Sequence, residues 1–351
     1  MKTALVTVIF LISLFSCSEK NPQAKNDYIL ASGQMPAIAK DKENNLHLVF
    51  GMGDSIMYAN STDQGYSFSN PVLISVLPHV YDFATRGPQI AVTKDGLVVT
   101  ACTSEGNIYS FFKDKNNDWQ QGKRVNDEDT IAKEGLMALS AFENNAFAVW
   151  LDIRGTGRNK IYGAQSADGG RTWSKNKLIY ASPDTVVCAC CKPSVIVWKN
   201  TVTVMFRNWL NGNRDMYIAS SNDLGNTFTP AQMLGSKNWK LDGCPMDGGN
   251  LAVNDKGEVQ TVWRREAKIF SSVLGAPEKG IGEGRGCTIE VVNNDNIFAW
   301  VEKGQIVVTK LDGQAKILGK GIQPVLKAID GNHALCIWEE DRQIHAAIYQ
   351  L

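Results

Sequence analysis

Three short segments of this 351-residue chain repeat one pattern: STDQGYSFS from Ser61, SADGGRTWS from Ser166 and SNDLGNTFT from Ser221. Each reads Ser-x-Asp-x-Gly-x-x-aromatic, which is the chemistry of a tight turn. The carboxylates of Asp63, Asp168 and Asp223 are placed to accept backbone N–H groups inside the turn. The glycine supplies backbone angles that other residues resist. The aromatic (Phe68, Trp173 or Phe228) returns to the core. A turn of this kind joins two paired strands, so the chain on either side is constrained to be β.

The flanks repeat as well. A short apolar strand comes first, over residues 36–39, 88–92, 136–141, 193–197, 250–253, 288–292 and 324–328. A second strand follows, as in NLHLVFG, GLVVTAC, AFAVWLD, TVTVMFR, EVQTVWR, NIFAWVE and HALCIWEE, often closing on Trp or Phe. Apolar residues alternate with the period of two expected of strands, and helical periodicity is nearly absent. Seven such units predict an all-β fold, a β-propeller of four-stranded blades, with six blades as the alternative. The last unit ends on QIHAAIYQL with room for only three strands, so DYILASG near the start is expected to supply the fourth and close the ring. No Pro/Ser-rich or charged linker divides residues 28–351, which read as a single domain.

The N-terminus carries Lys2 and an apolar run over residues 4–15, too short to span a bilayer and typical of a secretory signal. Leu14, Ser16 and Cys17 resemble the bacterial lipobox. The resemblance implies a signal peptide over 1–16, lipidation of Cys17 and a tether over 17–27; an ordinary signal with an incidental cysteine is the alternative. The expected location is the bacterial cell envelope, anchored by lipid and facing the periplasm or the surface. Thirty-six basic residues balance 36 acidic ones, which argues against a nucleic-acid partner. A monomer is expected.

In a blade whose strands run A to D outward, the loops leading into strand A and those joining B to C share one face; the Asp turns lie on the other. The stretch TVVCACCKP crowds Cys188, Cys190 and Cys191 just before the fourth inner strand, and Cys244 comes just before the fifth. All four therefore belong at the mouth of the ring, with Cys287 opening the sixth unit and Cys102 ending a second strand. Cys336 reads as a core residue. A disulfide from Cys188 or Cys190 to Cys244 suits an exported chain. A strained vicinal Cys190–Cys191 bridge, or a thiolate site for Cu or Zn with Met246 or His79 nearby, are the other readings. With Cys17 lipidated, an odd number of cysteines remains.

The three Asp turns resemble the Asp-box, or BNR repeat, of the sialidase superfamily. The likeness covers nearly all the chain beyond the tether and implies a propeller, of six blades in that family, in which the box itself is structural. The family holds a substrate carboxylate with three arginines, a task that suits the guanidinium fork. TRGPQIAV resembles its Arg-x-Pro motif and places Arg86 in that role. Arg207 and Arg264 end second strands and are expected to face the axis, with Arg154 at the same rim. The family's nucleophile is a tyrosine, yet no tyrosine occurs between Ile218 and Ile348, and Tyr349 lies in the last strand.

The expected activity is therefore binding of a small anionic ligand, a glycan or a soft metal ion at the axial mouth. The alternatives are an exo-α-sialidase or other divergent glycoside hydrolase using Asp82, Asp152 or Glu266 as acid/base groups, and a non-catalytic interaction scaffold stapled by disulfides.

Overall fold

The computed structural model describes residues 27–114, 118–184 and 186–351, with no helix among them. The expected signal peptide, Cys17 and the tether up to residue 26 lie outside the described residues. The first strand, β1 (Tyr28–Ser32), does not pair with its sequence neighbour. It pairs with the last, β28 (Gln343–Gln350), setting Tyr28 opposite Ala346. That pairing completes blade VII, whose other strands are β26 (Ile322–Ala328) and β27 (His333–Glu340). The chain thus forms seven four-stranded antiparallel blades, a seven-bladed β-propeller closed by its own N-terminal strand.

Blade I is built from β2 (Gln34–Lys40), β3 (Leu46–Met52), β4 (Ser55–Ser61) and β5 (Val72–Val76). Blades II to VI follow in chain order from the inner strands β6 (Gln89–Val92), β10 (Met137–Phe142), β14 (Ser194–Trp198), β18 (Asn250–Val253) and β22 (Arg285–Val292). Inner strands of neighbouring blades lie side by side around the axis.

The aromatic near the end of most second strands explains how blades adhere. Trp150 packs against Cys102 and Ile108 of the preceding blade, Phe206 against Val149 and Leu151, and Trp263 against Met205 and Met216. Trp300 meets Val262 and Ile269, and Trp338 meets Val301 and Ile306. Burying a side chain as large as Phe contributes roughly 1.5–3 kcal/mol, and each of these joins two blades rather than filling one. Glycines make the room: a Cβ on Gly282 or Gly319 would lie 2.4 or 2.8 Å from the indole of Trp300 or Trp338.

The three Asp turns are close copies. Asp168 Oδ1 accepts the Thr172 N–H at 2.9 Å and the Ser166 hydroxyl at 2.8 Å, while Oδ2 accepts the Thr172 hydroxyl at 2.5 Å. The Ser166 oxygen in turn accepts the Gly170 N–H at 2.8 Å. Asp63 and Asp223 make the same set with Ser67 and Thr227. The hydroxyl four residues after the aspartate is thus part of the device. These turns sit between third and fourth strands, on the face away from the mouth.

Candidate functional site

At the mouth, the inner strands of blades I, VI and VII begin with bulges, where register shifts between Gln34 and Ala37, Arg285 and Thr288, and Ile322 and Val325. Met35, Gly286 and Gln323 adopt left-handed backbone there, with φ of 53°, 62° and 56°. Such bulges re-aim the chain. Buried carboxylates hold two of them. Glu339 Oε2 accepts the Met35 N–H at 3.1 Å, and both Asp247 oxygens lie 3.3 Å from the Gly286 N–H. The strands so splayed surround an axial cavity of about 290 Å³.

Lys192 is the most unusual group on its wall. By area the residue is half-buried, but its ammonium is crowded on all sides. Its amine donates to Gln89 Oε1 at 2.8 Å. Among the described residues no carboxylate pairs with it, and burial pushes its pKa down to about 8. Asn250 and Thr288, hydrogen-bonded to each other at 3.1 Å, and exposed Arg285 line the same space. Lys192 stands inside the TVVCACCKP stretch, immediately before the proline that leads into an inner strand. Nothing in that position sets it apart in the sequence.

The cysteines gather beside this wall. Cys190 and Cys244 form a disulfide across 54 residues. Cys188 and Cys191 remain thiols, buried with 0% and 1% exposure. Their sulfurs lie 3.5 Å apart, and Cys190 Sγ lies 3.6 Å from Cys188 and 3.9 Å from Cys191. Arg214 donates to Cys188 Sγ at 3.2 Å. With that donor present, the proton of the pair belongs on Cys191. The hydrogen bond with Cys191, helped by Arg214, pulls Cys188 down to about 6, while burial and the neighbouring sulfur push Cys191 well up. Among the described residues no His or carboxylate joins this cluster. His79 and Met246 stand on exposed turns with φ of 59° and 49°. Cys102, Cys287 and Cys336 are buried thiols, Cys336 within the core as its position in a second strand implies.

The arginines expected at the axis divide into two groups. Arg207 and Arg264 lie beside the cysteines. Arg207 is only 1% exposed, and its guanidinium donates to three main-chain carbonyls: Asp247 at 3.1 Å, Arg214 at 2.8 Å and Arg264 at 2.9 Å. Arg264 Nη1 reaches Asp247 Oδ2 at 3.4 Å, and both guanidinium groups lie over Trp239. Burial raises the Asp247 carboxyl, and the two arginines oppose the shift. Arg86 and Arg154 are elsewhere. Arg86 donates to the Glu134 and Ala84 carbonyls and rests against Tyr81 and Phe83. Arg154 meets Asp152 at 2.9 Å and Asp127 at 2.9 Å. Burial alone would lower the Arg154 pKa, but these carboxylates overcome it and leave it raised.

The three candidate acids are likewise dispersed. Asp152 is fully buried, with both oxygens taken by Arg154 and the Trp150 indole N–H. Asp82 accepts the Gly53 N–H at 3.1 Å. Glu266 stands exposed in a turn, its carbonyl accepting from Arg264. Tyr349 is buried in the core of the last blades.

A second cavity, of about 510 Å³, opens between blades I and II on the opposite face. Within it Tyr58 Oη, His47 and Asp41 form a relay, with contacts of 2.8 and 3.1 Å. Burial pushes the Tyr58 phenol up to about 12, the wrong direction for a nucleophile at neutral pH.

No known family model matches this chain, and no curated protein matches it in sequence. Solved structures match in fold. A lectin from Burkholderia pseudomallei, BP39L, superposes with a TM-score of 0.65 at 10% identity, covering 92% of this chain and 97% of that one. A protein of unknown function from Dyadobacter fermentans gives 0.51 at 15% identity, covering 93% and 98%. The Aleuria aurantia lectin, solved with Fucα1-6GlcNAc, gives 0.50 at 10% identity over 84% and 97%. At such identities the likeness establishes the propeller fold.

Proposed function

We propose that this chain is an exported, lipid-anchored β-propeller that binds a small acidic glycan in its axial cavity and does not hydrolyse it. The observation that carries the reading is Lys192, an enclosed ammonium whose hydrogen-bond partner is a neutral amide. An enclosed cation without a counter-charge is costly alone and is compensated when an anion arrives. Gln89, Asn250 and Thr288 offer the amide and hydroxyl groups that sugar hydroxyls need, and Arg285 adds a second cation at the rim. The lectin neighbours support the sugar half of the proposal; Lys192 supports the acidic half. The Cys190–Cys244 disulfide suits an exported chain. Hydrolysis is the weaker reading because Asp152 is neutralised by Arg154, Asp82 and Glu266 stand apart from it, and Tyr349 is buried.

The test is calorimetric titration of the full chain with 3′-sialyllactose and with lactose. The acidic sugar is expected to bind more tightly than the neutral one. Lys192→Met should weaken it by more than about tenfold, the worth of one charged hydrogen bond of about 1.5–3 kcal/mol. Equal affinity for both sugars, or no effect of the substitution, would overturn the assignment. Release of free sialic acid would replace it with a hydrolase.

A further inference from the structure

We propose that Cys188, Cys190 and Cys191 form a thiolate site for a d10 ion, Cu(I) or Zn(II), and that the Cys190–Cys244 disulfide is its gate. The sulfur triangle has sides of 3.5, 3.6 and 3.9 Å. A metal–sulfur bond of about 2.3 Å places neighbouring ligand sulfurs about 3.8–4.0 Å apart in tetrahedral or trigonal geometry. The triangle is therefore close to ligand spacing before any ion arrives. An all-sulfur set selects soft or borderline ions over Mg or Ca.

The surroundings are built for sulfur anions. Arg214 Nη1 and the Cys190 N–H point at Cys188 Sγ, and the Asp247 N–H points at Cys191 Sγ. The buried Arg207 guanidinium adds positive charge nearby. Donors of this kind orient metal ligands and tune their basicity. Nothing in the axial-cavity reading uses them.

The gate follows from connectivity. In the disulfide state Cys190 cannot act as a thiolate, and only Cys188 and Cys191 remain. Cys244 lies on an exposed segment of the mouth, where a dithiol can reach it. Reduction breaks the Cys190–Cys244 bond with two electrons and two protons from the dithiol, which closes to its own disulfide. The ion then binds as protons leave the thiols, and freed Cys244 is placed as a fourth ligand.

The experiment uses the full chain, treated or not with a phosphine reductant, and loaded separately with Zn(II) and with Cu(I). The phosphine is oxidised to its oxide with oxygen from water, and the water hydrogens end on the two sulfurs. After dialysis, metal content is read by mass spectrometry. Stoichiometric retention of either ion is expected in the reduced chain, with at least tenfold less in the untreated chain. Cys188→Ser and Cys191→Ser should lose the ion. Cys244→Ser leaves Cys190 free and should load without reductant, which keeps the test valid if the other variants fold poorly. Arg214→Met should weaken affinity about 10–100-fold. A reduced chain that retains neither ion overturns the site. Equal loading of the untreated chain overturns the gate. The glycan titration above is independent of both.

Discussion

In the disulfide-bonded, metal-free protein, replacing Lys192 by methionine is expected to raise stability near neutral pH. The wild-type ammonium is enclosed, makes a 2.8 Å bond to Gln89 and titrates near 8 rather than its ordinary 10.5. The folded chain therefore holds this proton less tightly than the unfolded chain, at a cost of about 3 kcal/mol whenever the amine is charged in both states. Methionine is similar in length and removes that cost. Losing the bond to Gln89 offsets about 1 kcal/mol, leaving the variant ahead by about 2 kcal/mol. The direction with pH is fixed by the lowered value. The wild-type penalty is complete below pH 8 and disappears as pH rises past 10.5. Urea unfolding of both proteins, followed by tryptophan fluorescence at neutral pH and above 10.5, measures the difference at each end. A variant less stable at neutral pH, or a gap that does not change with pH, refutes the picture of an enclosed and uncompensated ammonium.

Other outcomes are equally concrete. Arg207→Met orphans three buried carbonyls at about 1–3 kcal/mol each, so a loss below about 1 kcal/mol in thermal unfolding would show that water or neighbours replace the guanidinium. Gly170→Ala should cost about 1–3 kcal/mol, because φ is 91° and the new Cβ would sit 2.3 Å from Val98. Gly212→Ala, with φ of 78° but open space around it, should cost less, and equal losses would remove packing as the cause. Hydrogen bonds from Ser221 and Thr227 lower Asp223 to about 2, so its contribution is present above the ordinary 3.8 and fades as pH falls through 2. Asp223→Asn should therefore lose stability at neutral pH and converge with wild type near pH 2; a constant gap in acid titration would contradict this.

Several features were open to reading without coordinates because their physics is local. The Asp turns depend on groups within a few residues, so the position of Asp63, Asp168 and Asp223 followed from spacing, although the paired hydroxyls of Ser67, Thr172 and Thr227 did not. Strand alternation exposed seven units, and the missing strand at the end pointed to DYILASG. The mouth-facing position of the cysteines followed from strand order. What spacing could not rank was partnership. Arg86, Arg154, Arg207 and Arg264 look alike as arginines near strand ends, yet one is buried against three carbonyls and another is tied to Asp152. Lys192 drew no notice, since a lysine before a proline is ordinary until the ring encloses it.

The primary sequence alone determined an all-β propeller, its outer turns and the face that carries Cys188, Cys190, Cys191 and Cys244. Those follow from period, turn chemistry and chain direction, which act over a few residues. Only the tertiary structure decided that Cys190 bonds Cys244 across 54 residues, that Arg207 is structural while Lys192 faces the cavity, and that three sulfurs meet within 3.9 Å. Those depend on distances between blades, and closure of the ring sets them all at once.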